Sequence, residues 1–445
     1  MVKGLHRLSA DKKTVSPDLL YGGSGDFFDT GEEEMIEKIF CLMMKKKFSM
    51  IRYQFTDLPE IHFSDAFGVY VNIPLCIQRC SFCAFYSEPF STYNESDYTA
   101  SVIKEIELSK PTGNARWVYF GGGTPNCLSI SSLNEIIGCL KKHITSSYYA
   151  IELLPSLLTK EYVDGLKQMG FSKISMGIES FSVDSLKKTG RKKESSSFIS
   201  DLVGHAQSIG LWTSLDFMIG LPGQTESSLA YDVSEIERIS PDQIAIYPIV
   251  NVKGKRVPFK PSFSSMDQFA HIECISKRLA ERGYKRRTAW ILSREDDSEV
   301  YDSSGNELAI DYVGFGAGAY SAYGNARMMN PEIPVYLQAI ADNNRKGFLS
   351  IGSGSNKEMR TLSKMIYDLC IDPSIRLPLY LRLFVAYLKL CGYSKKGCFT
   401  KKGRFLSHET SKTAMESLPF PIQYPACVKN FETYKDYKSR CTLRH

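Results

Sequence analysis

Between about residues 67 and 250 the chain repeats one pattern. A short run of apolar, β-branched and aromatic residues ends in a loop, and a longer stretch follows with apolar positions three and four apart. The runs at 69–73, 117–120, 148–153, 173–177, 213–219 and 243–247 are predicted as strands, and the stretches at 96–108, 132–143, 160–169, 196–209 and 226–239 as the helices between them. Gly170 and Gly210 stand where helices end, and Ser132-x-x-Glu135 reads as a capping box. Repeated βα units imply a parallel sheet with helices outside it.

The flanks break the pattern. Residues 1–66 are mixed polar sequence with a predicted helix at 32–44, where Met35, Ile36, Ile39, Phe40 and Met43 recur at helical spacing; Gly22–Gly25 reads as a flexible loop. Over 251–345 the expectation is a helix at 267–282, a strand at 284–291, a polar insert at 293–306, and Gly314-x-Gly316-x-Gly318, which suits a close-packed turn as well as a nucleotide loop. Residues 346–445 read as mainly helical, with helices at 358–369 and 377–390 and a basic turn-forming stretch at 392–406 that could complete a winged-helix-like appendage. The expected fold is therefore α/β, a partial (β/α)6 TIM-like barrel over 67–250 with an α/β extension over 251–345, an N-terminal extension over 1–66 and a mainly helical C-terminal domain over 346–445.

A length of 445 residues suits two or three domains or one large barrel with an appendage. At 43% hydrophobic and 23% charged residues, it has a soluble globular composition. The twelve cysteines are scattered and the N-terminus is polar, which points to a cytoplasmic protein with mostly free thiols rather than a disulfide framework. No apolar run reaches the roughly 18–20 residues of a membrane span. The +6 net charge is dispersed over groups such as Lys45–Lys47, Lys285–Arg287 and Lys401–Lys402, which argues against a nucleic-acid partner and suits an anionic small molecule.

In a parallel α/β sheet the chemistry sits in loops after the C-terminal strand ends, and the distinctive motifs fall there. After the first strand come Cys76, Cys80 and Cys83, spaced C-x3-C-x2-C. Three thiolates can ligate three irons of a [4Fe–4S] cluster and leave the fourth iron open. Ordinary buried thiols are one alternative. A zinc site is another, although the next cysteine is Cys127 and no second pair lies close by. Aromatic Phe82 stands beside the third cysteine. The second strand runs into Gly121-Gly122-Gly123-Thr124-Pro125, whose glycines let backbone groups approach a ligand closely. Glu152 ends the third strand, Glu179 and then Gly190-Arg191 follow the fourth, and Asp216 lies in the fifth before Gly220-Leu-Pro-Gly-Gln-Thr225. Carboxylates within apolar strands need a partner or a function, and three at one rim point to ligand binding.

Five motifs in order resemble the radical S-adenosylmethionine (SAM) superfamily, in particular the branch of oxygen-independent coproporphyrinogen III oxidase, its heme chaperone-like relatives and radical SAM C-methyltransferases. They are Tyr70-Val-Asn-Ile-Pro-Leu-Cys76 with its cysteine spacing, Gly121–Pro125, Ile174-Ser-Met-Gly-Ile-Glu-Ser-Phe181, Asp216–Thr225 and Gly314–Ser321. The resemblance implies that Cys76, Cys80 and Cys83 ligate a [4Fe–4S] cluster and that Phe82 packs near the adenine of SAM. It implies that Gly121, Gly122, Gly123 and Thr124 line the methionine end and that Glu152, Glu179, Arg191 and Asp216 hold polar groups of the cofactor. Tyr70 matches a catalytic position facing the cluster and the second SAM molecule that some members bind.

The implied activity is reductive cleavage of SAM to a 5′-deoxyadenosyl radical that modifies a tetrapyrrole or another aromatic substrate, by oxidation or by methyl transfer, with an electron donor such as flavodoxin or ferredoxin. Three positions depart from the family pattern: Ala84-Phe85 stands where the oxidases carry a further cysteine, Asn72 replaces a histidine, and Glu179 replaces a glutamine. A different substrate is the simplest inference. The competing expectation is a heme-binding carrier, which needs an axial ligand; His62, His205 and His271 are the candidates. Lys285, Arg286 and Arg287 would suit the propionates of a tetrapyrrole.

Overall fold

The computed structural model describes residues 33–63, 67–255, 257–294, 310–352, 357–371 and 377–442. The predicted Gly22–Gly25 loop and most of the polar insert lie outside them.

The six predicted strands all form, and they neighbour one another in sequence order: β2 (Phe67–Ile73), β3 (Gly113–Gly122), β4 (Tyr149–Leu153), β5 (Lys173–Glu179), β6 (Trp212–Ile219) and β7 (Gln243–Pro248), every adjacent pair parallel. Helices α2 (Glu95–Ser109), α3 (Ile130–His143), α4 (Lys160–Met169), α6 (Ser196–Ser208) and α7 (Glu226–Ile239) are the crossovers, with a short α5 (Val183–Lys188) ahead of α6. The sheet does not close. It continues past β7 through antiparallel β8 (Ile291–Ser293), and past β2 through parallel β9 (Tyr312–Phe315) and antiparallel β10 (Tyr320–Tyr323), β11 (Ala326–Met329) and β12 (Lys346–Ile351). The outermost strand, β1 (Gln54–Asp57), pairs with β12. This is an open α/β partial barrel.

Alternation along each strand separates two environments. One set, including Val69, Val71, Phe120, Ile151, Ile174, Leu215 and Ile244, joins helix residues such as Val102, Leu133, Leu166, Leu202 and Val233 in the main apolar core. The intervening set, Tyr70, Trp117, Tyr119, Tyr148, Ala150 and Tyr312, forms an aromatic layer on the opposite, concave face. The same parity places Glu152, Lys173, Ser175, Asp216 and Gln243 on that face. Polar side chains thus line the inside of the sheet while aliphatic ones weld it to the helices.

Local signals explain most boundaries. Gly170 caps α4 in the left-handed conformation, as predicted. The cap predicted at Ser132 is corrected: α3 begins at Ile130, and the Ser129 hydroxyl accepts the Ser132 N–H at 3.2 Å while the Glu95 carboxylate takes the Ser129 N–H at 2.7 Å. The strand predicted at 284–291 is also corrected. Lys285–Arg286 and Ile291–Ser293 are two arms paired to each other, because Thr288 turns the chain by accepting the Trp290 and Ile291 N–H groups on its hydroxyl. The run Gly314-x-Gly316-x-Gly318 is a close-packed turn. The Gly316 N–H donates to Glu105 at 2.7 Å, Ala317 N–H to the Tyr98 hydroxyl at 3.0 Å and Gly318 N–H to the Pro331 carbonyl at 2.9 Å.

Helix α8 (Ser265–Ala280) lies near its predicted place. After α9 (Ile333–Ala341), the last third carries α10 (Lys357–Tyr367), α11 (Leu379–Leu390), α12 (Lys401–Ser417) and α13 (Phe431–Thr442), with a small hairpin at Ser394–Lys395 and Cys398–Phe399. The predicted N-terminal helix, α1 (Glu33–Ser49), shares its core with this layer: Phe40 and Met44 pack with Leu362, Ile366, Leu388 and Leu406. Among the described residues no helix is long and apolar enough to cross a membrane.

Candidate cluster and cofactor site

The cysteine loop leaves the C-terminal end of β2 and is pinned on several sides. The Cys83 N–H donates to the Cys80 carbonyl at 3.2 Å, and the Ser81 N–H donates to the Thr189 carbonyl at 3.0 Å. Cys80 and Phe82 pack against Ile249, just after β7, and Leu221, in the loop after β6, which together supply an apolar wall to the cysteine loop. That second loop is held by Gln224, which accepts the Gly220 N–H at 2.8 Å and donates to the Met218 carbonyl at 3.0 Å. Beyond the third cysteine, Gln423 donates to the Ala84 carbonyl at 2.7 Å and Lys255 to the Phe85 carbonyl at 3.2 Å. The C-terminal layer therefore fixes the segment where this chain departs from the family pattern.

The glycines after β3 fit under this loop. A Cβ on Gly123 would lie 3.0 Å from Cys76 Sγ and 2.7 Å from the Leu75 carbonyl oxygen, and one on Gly122, whose φ is +112°, would lie 2.2 Å from Asn72 Oδ1. Only glycine leaves room for both approaches. Thr124 Oγ1 stands 3.3 Å from Cys76 Sγ. Cys127, which the motif spacing did not single out, lies beside them, with its thiol pushed up to about 12 by burial and by the neighbouring Cys76.

The carboxylates converge along the concave face. Glu152 accepts from the Tyr119 hydroxyl at 2.9 Å, and a Cβ on Gly121 would sit 2.7 Å from the Tyr70 hydroxyl and 3.1 Å from Glu152 Oε2. Tyr70 and Tyr119 stack at 6.0 Å with their planes 12° apart. Asp216 accepts from the Ser175 hydroxyl at 2.9 Å and 3.0 Å. Glu179 follows a register irregularity in β5 and has φ +66°, the left-handed region, which a residue without a glycine's freedom adopts only under local constraint. Its carboxylate lies 3.8 Å from the Arg191 guanidinium, which also donates to the Gly177 carbonyl and reaches Cys80 Sγ at 3.7 Å. Arg191 thus joins the cysteine loop to the carboxylates.

Burial governs the electrostatics. It pushes Glu152 up to about 7, helped by the charge of Asp216 and opposed by the Tyr119 hydrogen bond. It pushes Glu179 up to about 7 against the pull of Arg191, and Asp216 up to about 6 against the Ser175 hydrogen bond and Lys173. Burial also raises the Cys80 and Cys83 thiols. Burial works against the charge of Arg191, but Glu179 and Cys80 hold it above its ordinary value. The three buried acids act on one another, and a cationic group beside them would favour their ionised forms.

Sequence reasoning missed Tyr119, Ser175 and Lys173. Lys173, 3% exposed, donates to Gln243 at 3.0 Å and acts on Asp216. Alternation marks Lys173 and Ser175 as polar positions on one face of β5, but only the register between strands brings them and Tyr119 to the face of Glu152 and Asp216. Other candidates sit elsewhere. Arg286 is buried in an ion pair with Glu273, which Arg404 shares, so it does not await a propionate. His62 is exposed beside Glu60, His205 pairs with Asp164 at 2.7 Å, and His271 is buried against the Phe263 ring at 4.4 Å.

The three thiols suit a cluster better than a single ion. Among the described residues, the Cys, His, Asp and Glu donor atoms that come within 4.8 Å of one another in a set of three are those of Glu107, Cys139 and His143, so the loop thiols are spread more widely. The glycines beside Cys76 let the loop after β3 pack directly against the start of the cysteine loop.

An open parallel half-barrel with a three-thiol loop at its C-terminal rim defines an α/β protein of the partial-barrel class. The comparisons narrow this: the sequence profile of the Radical SAM superfamily matches residues 71–235. A [4Fe–4S] cluster and SAM are the characteristic cofactors of that superfamily. The chain is 24% identical over 354 residues to oxygen-independent coproporphyrinogen III oxidase of Salmonella typhimurium, covering 69% of this chain and 76% of the relative. It is 27% identical over 302 residues to heme chaperone HemW of Bacillus subtilis, covering 63% of this chain and 77% of the relative. The solved structure of coproporphyrinogen III oxidase (HemN) from Escherichia coli superposes with TM-score 0.65 at 20% identity, over 84% of this chain and 92% of that one, and so shares the fold.

Proposed function

We propose that this protein is a radical SAM enzyme acting on an organic substrate of the tetrapyrrole class. The observation that carries the reading is the junction at Arg191, where one guanidinium lies between Cys80 of the three-thiol loop and Glu179 of the acidic pocket. Cys76, Cys80 and Cys83 would hold the cluster. Gly121, Gly122, Gly123 and Thr124, with Glu152, Glu179, Arg191 and Asp216, would hold SAM against it, and Phe82 would pack near the adenine. Held there, a reduced cluster would supply the electron for reductive cleavage of SAM, and SAM would supply the 5′-deoxyadenosyl radical chemistry, with these residues as the binding and orienting groups.

The chain's own groups do the orienting. Glu152, Glu179 and Asp216 present carboxylates to the positive charges of SAM, and binding favours their ionised forms. Tyr70 and Tyr119 provide a flat wall on the concave face, and Leu221 and Ile249 cover Cys80 and Phe82. The asparagine at 72 donates to the Ala317 carbonyl at 2.5 Å, so it ties β2 to the glycine-rich turn. Oxidation and methyl transfer are both within this reading, and flavodoxin or ferredoxin would supply the electron.

The test is anaerobic reconstitution with iron and sulfide, then reduction in the presence of SAM. Formation of 5′-deoxyadenosine and methionine is expected, and their absence with an intact cluster would overturn the proposal. S-adenosylhomocysteine together with a methylated substrate would select methyl transfer over oxidation. The similarity to HemW supports a second reading, heme carriage. Stoichiometric heme binding that survives loss of all three loop cysteines, without SAM cleavage, would favour it.

A further inference from the structure

A second constellation of ligating side chains lies away from the thiol loop. Cys139 and His143 are four positions apart on α3, so they share one face, and Glu107 reaches them from α2. Cys139 Sγ stands 3.4 Å from Glu107 Oε1, and His143 Nε2 stands 3.2 Å from Glu107 Oε2. The three donor atoms are all within 4.8 Å of one another.

We propose that Glu107, Cys139 and His143 form a zinc site with one exchangeable coordination position. Tetrahedral zinc, with bonds of about 2.3 Å to sulfur and about 2.0–2.1 Å to nitrogen and oxygen, sets neighbouring donor atoms about 3.3–3.6 Å apart. The observed 3.4 Å and 3.2 Å, which run to the two different oxygens of the Glu107 carboxylate, lie close to that spacing, and a small rotation of this partly exposed side chain brings one oxygen to the shared position. The donor set also selects the metal: thiolate with imidazole favours zinc over magnesium or calcium, which take oxygen ligands.

Exposure is graded across the site. The Cys139 residue is 3% exposed, the His143 side chain 16% and the Glu107 side chain 45%. An ion held on this triad has the thiolate at its base and solvent at its open side, so water or an exchangeable anion completes the tetrahedron. Metal entry replaces the thiol-to-carboxylate hydrogen bond with a metal–thiolate bond, and the thiol proton leaves to solvent. Lys142, the neighbouring cation on α3, is exposed to solvent.

The site's position separates it from the cysteine loop. His143 ends α3 and leads into Ile144–Thr145, which pair with Gly113 and Asn114 at the N-terminal end of β3. Cys76 follows the C-terminal end of β2, the parallel neighbour of β3. The ion would therefore clamp α2 to α3 at the opposite end of the barrel.

The test is zinc binding to the full chain after anaerobic cluster reconstitution, when the loop cysteines are occupied. One tightly held zinc per chain is expected, with affinity falling about tenfold or more in His143→Gln and in Glu107→Gln. Cobalt supplies the second readout, using the full chain with Cys76, Cys80 and Cys83 all changed to alanine. A sulfur-to-cobalt charge-transfer band is expected there, and its loss on adding Cys139→Ser would identify the thiolate, whatever becomes of the cluster proposal. Because Cys139 is buried, the partly exposed His143 and Glu107 variants guard against a folding defect. Zinc retained undiminished by His143→Gln with Glu107→Gln, or no charge-transfer band in the loop-cysteine variant, would overturn the proposal.

Discussion

Replacing Gly123 by alanine tests whether close backbone approach builds the site. The added methyl would lie 2.7 Å from the Leu75 carbonyl oxygen and 3.0 Å from both Leu75 N and Cys76 Sγ, whereas ordinary contact begins at 3.4 Å. Relief needs a shift of about 0.7 Å. Two of the three atoms are backbone, and that backbone is tethered: the Gly123 N–H donates to the Ile73 carbonyl at 2.8 Å, and the Glu88 N–H to the Pro74 carbonyl at 2.7 Å. Gly123 is not among the residues with positive φ, so alanine is acceptable to its backbone and the effect is steric. Overpacking of this kind costs about 1–3 kcal/mol. On the proposed ligation by Cys76, the same shift displaces that thiol, so iron and sulfide per chain fall along with stability. The control is Gly204→Ala in α6, where nothing lies within 4 Å of the new methyl and the helix gains about 0.5–1 kcal/mol. Urea unfolding of the apoprotein and iron and sulfide content after anaerobic reconstitution measure both effects. A Gly123→Ala protein with the parent's unfolding midpoint and full iron content would refute the steric argument.

Three other outcomes are expected. Glu105 is 1% exposed and accepts from Gly316 N–H, Asn330 and Tyr336 at 2.7–2.8 Å; Glu105→Gln replaces an acceptor oxygen with a donor amide and loses about 2–4 kcal/mol in urea unfolding. Arg191→Lys fails to restore the parent's SAM affinity in equilibrium binding, because an ammonium cannot serve Gly177, Glu179 and Cys80 with one planar fork; parent-like affinity would remove Arg191 from the site. The pH dependence has a definite sign. Glu152, Glu179 and Asp216 have folded values of about 7, 7 and 6 against ordinary values of 4.5, 4.5 and 3.8, so the folded state binds more protons between them. Their contribution to apoprotein stability is fully present below the ordinary values and is lost as pH rises through about 6–7, and Glu152→Gln reduces that slope. Calorimetric or urea midpoints across this window check it, and a slope unchanged by Glu152→Gln would count against the burial argument.

The sequence alone determined the parallel order of the six strands and the position of the thiol loop. Both rest on local signals: apolar periodicity sets strand and helix, and C-x3-C-x2-C brings three thiols together within eight residues without help from distant chain. The carboxylates were also legible, because Glu152 and Asp216 interrupt apolar runs. Tertiary structure decided what those residues meet. That Arg191 joins Glu179 to Cys80, that Lys173 acts on Asp216, and that Arg286 is consumed by Glu273 depend on register between strands and on helix packing, which no local pattern encodes. The glycine-rich turn at 314–318 shows the same limit: its motif suited either a nucleotide loop or close packing, and only the arrival of Glu105, Tyr98 and Pro331 at its amides decided between them. Local spacing fixes which donors exist, but long-range contacts decide which remain available for chemistry.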